Sequence, residues 1–182
     1  MILYHGSKYF FKIPDLLQAK DFKDFGRGFY LTSNLEQAKK WAVRSLTNNC
    51  MDEKAYVYEY EFDMDCTKKM KSLELLTYNI EWLDIITEFR TQKEKYIMYD
   101  LIYDRMADGQ YEELVDAIRE YKLKKVTSEY VLNIAKFHDE KKDQYCFKTN
   151  EALEYLKRKN YAEVYKLHNQ PKVIKWYKVE GK

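Results

Sequence analysis

Tyr30 and Trp41 offer two aromatic faces within one stretch, Lys23 to Trp41, that opens on a glycine-bracketed arginine, Gly26-Arg27-Gly28. Two such faces can hold a flat, cationic ring by stacking and cation–π attraction. The glycines let the backbone take positive φ or lie close against a ligand. The same residues also serve plainer ends, Gly-x-Gly as a turn and an aromatic on an amphipathic helix as core. His5-Gly6 is a second place for chemistry, an imidazole beside a residue whose N–H and C=O can face outward with no side chain in the way. Gln144 opens the late apolar run Asp143-Gln-Tyr-Cys-Phe-Lys-Thr149.

The elements that must position these residues follow from periodicity. Ile2-Leu-Tyr4 reads as a strand that runs into His5-Gly6-Ser7, with a turn at Pro14-Asp15 further on. Phe29 to Thr32 reads as a short strand. Ser33 or Asn34 can then cap a helix whose apolar positions Leu35, Ala38, Trp41 and Ala42 recur three and four apart. A strand-to-helix return can bring the Trp41 indole back beside Tyr30. Ala55 to Phe62 alternates as a strand near the centre of a sheet, and Leu73 to Arg90 carries a helical period with Trp82 as core. Tyr99 to Tyr103 is a short strand, and the loop after it, Asp104 to Gly109, holds two carboxylates that suit capping and solvation before a helix more than metal or acid–base work. Two short amphipathic helices follow at Leu114–Tyr121 and Glu129–Phe137. The late run from Asp143 is a strand, Asn150 caps a helix to Lys157, and the chain ends in strands at Glu163–His168 and Val173–Val179 around a turn at Gln170-Pro171.

At 182 residues the chain suits one domain, and a formal net charge of +2 gives no strong electrostatic instruction toward nucleic acid or membrane. The charge is uneven, with eleven Lys plus Arg against five Asp plus Glu from Lys141 to Lys182. Tyr161, Tyr165, Trp176 and Tyr177 interleave with those cations, a pattern open both to a nucleic-acid acceptor and to an ordinary solvated edge. Cys50, Cys66 and Cys146 are odd in number and far apart, so reduced thiols are expected and no zinc site or other metal. Met1-Ile-Leu-Tyr-His5 lacks the features of a signal peptide and no apolar run reaches a membrane span, which predicts a cytoplasmic protein. The expected architecture is one α+β domain over residues 1–182 with a helical insertion at about 68–141.

His5-Gly6, Gly26-Arg-Gly-Phe-Tyr30-Leu-Thr and Gln144 together resemble the three-part signature of the ADP-ribosyltransferase superfamily, in its His–Tyr–Glu branch. More narrowly, Leu3-Tyr-His-Gly-Ser7, Asp24 to Thr32 with Gln37-Ala38 and Trp41-Ala42, Tyr99 to Asp108, and Gln144 to Thr149 resemble the bacterial DUF3990 family. The resemblance implies split, bent antiparallel sheets flanked by helices, with NAD bound as co-substrate and no metal. It implies that His5 bonds an NAD ribose hydroxyl and that the Gly6 backbone holds the nicotinamide amide. Tyr30 and Trp41 would clasp the nicotinamide, and Arg27 would meet the pyrophosphate beside Gly28.

The third position departs from the branch, since Gln144 stands where glutamate is usual. An amide can orient the ribose 2′-hydroxyl but brings no full charge to an oxocarbenium-like sugar, and losing a preorganised electrostatic partner commonly costs on the order of a hundredfold. Lys142 stands where arginine-modifying members carry Glu or Gln, and Ala38 where a serine is usual. The implied activity is mono-ADP-ribosylation with catalytic residues His5, Tyr30 and Gln144. The acceptor is an unidentified intracellular macromolecule, a protein in preference to a nucleic acid. By analogy the role is that of a bacterial toxin or defence effector with a cognate antitoxin. NAD glycohydrolysis and a catalytically silent NAD-sensing or protein-binding module are the alternatives.

Overall fold

The computed structural model of the chain describes residues 1–91, 98–105, 112–137 and 143–179. His138, Lys142 and most of the loop after Arg105 lie outside these residues. Among the described residues the strands are Ile2–Ser7 (β1), Phe29–Leu31 (β2), Ala55–Glu61 (β3), Ser72–Leu75 (β4), Leu101–Arg105 (β5), Asp143–Phe147 (β6), Lys157–Leu167 (β7) and Gln170–Lys178 (β8), with apolar and polar residues alternating most clearly in β3 and aromatic or apolar runs in β2 and β6. They make two four-stranded sheets, one ordered β1-β3-β7-β8 and the other β2-β6-β5-β4. All pairings are antiparallel except β4 with β5, which is parallel and departs from the all-antiparallel expectation. β3 is internal to its sheet, as its alternation predicts.

The sheets meet at one bridge, where Tyr4 and Thr32 exchange backbone hydrogen bonds of 2.7 and 2.9 Å. Beyond it β1 and β2 part. Bridged residues share a face and side chains alternate along a strand, so Tyr4, Gly6, Thr32 and Tyr30 lie on one face of the joined layer. Leu3, His5, Phe29 and Leu31 lie on the other.

Helices cover the Gly6 and Tyr30 face. Leu35–Val43 (α1) is capped by Asn34, whose side chain accepts from the Gln37 N–H, and it lays Ala38, Ala42 and Val43 against Ala55, Val57 and Val164. Ile80–Thr91 (α2), Glu112–Lys122 (α3) and Ser128–Phe137 (α4) pack Trp82, Leu83, Ile86, Leu114, Ile118 and Val131 against Ile102 and Cys146. Trp82 is fully buried, as its place in the helical period predicts, and its Nε1 donates to the Arg105 carbonyl at 2.9 Å. The opposite face joins residues of both sheets, Leu3, Tyr58 and Tyr60 with Leu31, Leu101 and Phe147, so the sheets bend toward each other around that core. Each fully buried aliphatic side chain there contributes about 1.5–3 kcal/mol. No described helix is long and apolar enough to cross a membrane.

Four sequence expectations change. The helix expected from Leu73 begins at Ile80, because Leu73 and Leu75 alternate as β4 and pair beside β5. The segment expected as a helical insertion therefore carries two strands of the second sheet. The helix expected to reach Lys157 is the short Asn150–Leu153 (α5), capped by Thr149 rather than Asn150, and β7 takes over at Lys157. The last turn is at His168-Asn169, where both φ are positive (49° and 60°), and Pro171 lies in β8, an edge strand that tolerates its missing N–H.

Candidate functional site

His5 and Gly6 both sit on β1, one on each face. Tyr4 turns its N–H and C=O toward β2, and strand backbone groups alternate sides, so Gly6 turns its own N–H and C=O toward the gap between the sheets. The missing side chain of Gly6 serves packing as well. A Cβ there would run into the Ala38 carbonyl and stand 2.7 Å from the Ala42 N of α1.

His5 closes the gap from the other face. Its Nδ1 lies 2.6 Å from the Tyr30 carbonyl, and a carbonyl only accepts, so Nδ1 carries the proton. The ring stacks on Phe29 with centroids 4.2 Å apart and meets Phe11 edge-on. Burial among these rings pushes the imidazole down to about 4, against the opposing pull of the Tyr30 carbonyl. The ring is therefore neutral near pH 7, with Nε2 as its acceptor.

Gly26 and Gly28 meet different needs, which the sequence alone leaves open. Gly26 takes φ +70°, and Gly28 lies so close to β6 that a Cβ would run into the Cys146 sulfur and stand 2.9 Å from the Phe147 carbonyl oxygen. The loop is fastened from both sides. The Tyr30 hydroxyl donates to the Gly26 carbonyl at 2.6 Å and accepts from the Phe25 N–H at 3.0 Å. The ammonium of Lys148, itself buried, donates to the carbonyls of Phe25 (2.6 Å) and Arg27 (3.1 Å) and lies over the Phe89 ring. Burial, with the Cys146 thiol and the Asp24 carboxylate nearby, raises the Tyr30 phenol well above its ordinary value. The Arg27 guanidinium reaches the carbonyls of Leu17 (3.1 Å) and Leu16 (3.4 Å) in the Leu16–Gln18 turn.

Gln144 shares a face with Tyr30, since Tyr30 stands opposite Cys146 and Gln144 lies two residues before it on β6. It is 3% exposed, and its Nε2 donates to Oδ2 of Asp24 at 2.8 Å. Asp24 is 8% exposed, and its Oδ1 accepts from Arg90 of α2 through Nε (2.8 Å) and Nη2 (2.6 Å). Asp143 fixes the strand end beside Gln144: its carboxylate accepts from the Thr32 hydroxyl and the Ser33 N–H, and its carbonyl accepts from Gln37 Nε2. Trp41 is half-buried on α1 and makes no ring contact with Tyr30 among the described residues. The geometry thus gathers Gly6, Tyr30 and Gln144 on one face at the junction and links His5 to them through the gap.

Asp24, Arg90, Asp143 and Lys148 carry no role in the sequence reading. Asp24 precedes the glycine loop, but nothing local ties it to residues more than sixty positions away. Between α1 and the β7–β8 hairpin, a shallow depression of about 320 Å³ is lined by Lys40, Val43, Arg44, Lys166 and Asn169 among others. Among the other interleaved aromatics, Tyr161 and Tyr177 stack on each other at 4.8 Å across β7 and β8.

Two sheets joined at the Tyr4–Thr32 bridge, helices over one face and an Arg90–Asp24–Gln144 hydrogen-bonded chain at the junction define, among the described residues, a mixed α+β protein. Residues 1–158 match the model of the family described as Protein of unknown function (DUF3990), and the chain belongs to that family. No curated protein and no solved structure matches the chain.

Proposed function

We propose that the chain is a NAD-dependent mono-ADP-ribosyltransferase that moves one ADP-ribose unit onto a macromolecular acceptor, a protein in preference to a nucleic acid. The observation that carries this reading is the junction of β1 and β2. A carboxamide needs one donor and one acceptor, which the N–H and C=O of Gly6 supply as a pair on the side of the gap. A ribose hydroxyl needs an acceptor, which neutral His5 offers at Nε2 once Nδ1 is committed to Tyr30. The nicotinamide ring of NAD is flat and cationic while its glycosidic bond is intact, which suits the faces of Tyr30 and Trp41.

When the C1′–N bond breaks, its electron pair leaves with nicotinamide and positive charge develops on the ribose. Oε1 of Gln144 is the dipole offered to that charge. The acceptor's lone pair forms the new bond at C1′, and its proton passes to solvent. A toxin or defence role, with a cognate antitoxin, is part of this reading by analogy with the resembled superfamily and rests on no residue of the chain. One observation favours a second reading: an amide stands at position 144, buried and hydrogen-bonded, which suits a NAD-binding module without turnover.

The test is nicotinamide release from NAD by the purified protein, with and without bacterial lysate, alongside NAD binding. Release stimulated by lysate and abolished in His5→Ala and Tyr30→Ala variants that keep their circular dichroism supports the transferase. Binding without release supports the second reading, and neither binding nor release defeats both.

A further inference from the structure

Gln144 brings no charge of its own, yet its amide ends on a carboxylate. We propose that Asp24 is a positioning residue for the transfer reaction, holding the Gln144 amide with Oε1 toward the ribose and polarising it. This inference rests on the transferase reading above.

An amide has two chemically opposite ends, and only its surroundings decide which end faces the sugar. Asp24 decides it. An ionised carboxylate can only accept, so Nε2 of Gln144 must face Oδ2, at 2.8 Å, and Oε1 must lie on the other side of the amide plane. Were the amide free to flip, its NH₂ would face the ribose half the time, and a donor there opposes developing positive charge. The contact lies between residues 8% and 3% exposed, where a charge-assisted hydrogen bond is strong and water does not compete for it. Its polarity also draws electron density toward Oε1.

Arg90 completes the chain of roles. Its Nε and Nη2 both donate to Oδ1, while Oδ2 accepts from Gln144. This is the logic of an orienting acid behind a working group, with an amide as the working group. Asp24 is also tied to the aromatic face of the site, because the next residue, Phe25, gives its N–H to the Tyr30 hydroxyl. A plain structural alternative exists, in which the Asp24–Arg90 pair merely staples α2 to the loop. The two differ in what an exchange of charge between positions 24 and 144 does.

Four proteins decide between them: wild type, Asp24→Asn, Gln144→Glu, and the exchange Asp24→Asn/Gln144→Glu. For each, nicotinamide release is resolved into kcat and KM for NAD, with NAD binding and the thermal midpoint measured alongside. Asp24→Asn is expected to lower kcat by about a hundredfold while KM stays within about threefold, because orientation and polarisation act on bond breaking. Gln144→Glu alone sets two carboxylates in contact; they share a proton, so its rate acquires a pH-dependent limb absent from wild type. The exchange keeps a hydrogen bond between an amide and a carboxylate but puts the charge at position 144, and it is expected to restore kcat to the wild-type level or above.

Wild-type kcat in Asp24→Asn overturns the proposal. So does an exchange protein that recovers its thermal midpoint and NAD binding yet stays as slow as Asp24→Asn. Should Asp24→Asn fail to fold, the exchange protein decides alone: kcat at or above wild type upholds the proposal, and kcat below about a tenth overturns it. A wild type that neither binds nor cleaves NAD overturns the transferase reading itself, and this inference falls with it.

Discussion

Nδ1 of His5 lies 2.6 Å from the carbonyl oxygen of Tyr30, so one imidazole spans the gap that opens where β1 and β2 part. Its acidity follows from that place. With the folded value pushed down to about 4 and the ordinary value at 6.5, the unfolded chain binds more protons throughout the window between them. Stability from this group is therefore intact above about pH 6.5 and lost as the pH falls to about 4, by at most about 3 kcal/mol. Imidazole signals followed by NMR should show His5 titrating near 4, and unfolding at pH 5 should be eased in wild type but not in His5→Gln. A His5 ring that titrates near 6.5 defeats this expectation.

Gly6→Ala should be costly. The new methyl meets the backbone of Ala38 and Ala42, which cannot swing aside as a flexible side chain can. Overpacking of this kind costs about 1–3 kcal/mol, and at this chain length each kcal/mol lowers the midpoint by about 2–4 °C. Thermal unfolding of the variant reads it directly, and an unchanged midpoint would mean that α1 does not press on β1.

Lys148→Met separates local from global stability. Replacing a buried cation with an apolar side chain of similar volume leaves overall stability within about 2 kcal/mol, since the desolvation cost of the charge is removed with its hydrogen bonds. The carbonyls of Phe25 and Arg27 lose the ammonium as a donor, however. Hydrogen exchange should quicken at residues 25–28 while β3 and β6 keep their protection. Uniform protection across the variant would show that the ammonium does not fasten the glycine loop.

The β7–β8 turn holds His168 and Asn169 at φ 49° and 60°, a region that costs most L-residues about 1–2 kcal/mol each. An Asn-Gly pair suits such a turn, and the bonds from the His168 and Asn169 N–H groups to Asn49 and Asn48 come from the backbone, so they survive substitution. His168→Asn/Asn169→Gly should raise stability by about 0.5–1 kcal/mol in chemical denaturation. A fall would mean that the side chains themselves hold the turn.

Strands and helices were legible in the sequence where local periodicity agrees with the final environment. Ala55 to Glu61 alternates and lies inside a sheet; Leu35 to Val43 repeats at helical spacing and covers β1 and β3. Leu75 and Leu76 misled because they extend the three-and-four spacing of Ile80 and Leu83 backwards, whereas pairing with β5, contributed from further along the chain, selects strand. The site divides in the same way. His5, Gly6, Tyr30 and Gln144 announce themselves by their type at strand positions, and the sheet order brings them to one junction. Asp24, Arg90 and Lys148 owe their roles to contacts across 66 to 123 residues, which no short window contains.

The strand order β2-β6-β5-β4 also sets a schedule. β2 leaves the ribosome early, but its sheet partner β6 begins at Asp143, so Tyr30 and Gln144 meet only after more than a hundred further residues have been made. At about 5–20 residues per second that interval is on the order of ten seconds. The sheet of β1, β3, β7 and β8 closes later still, since β8 ends at Lys178. A chain stalled before β6 therefore holds the bridge residues Tyr4 and Thr32 but lacks Gln144, so the face that Gln144 shares with Tyr30 forms late in synthesis.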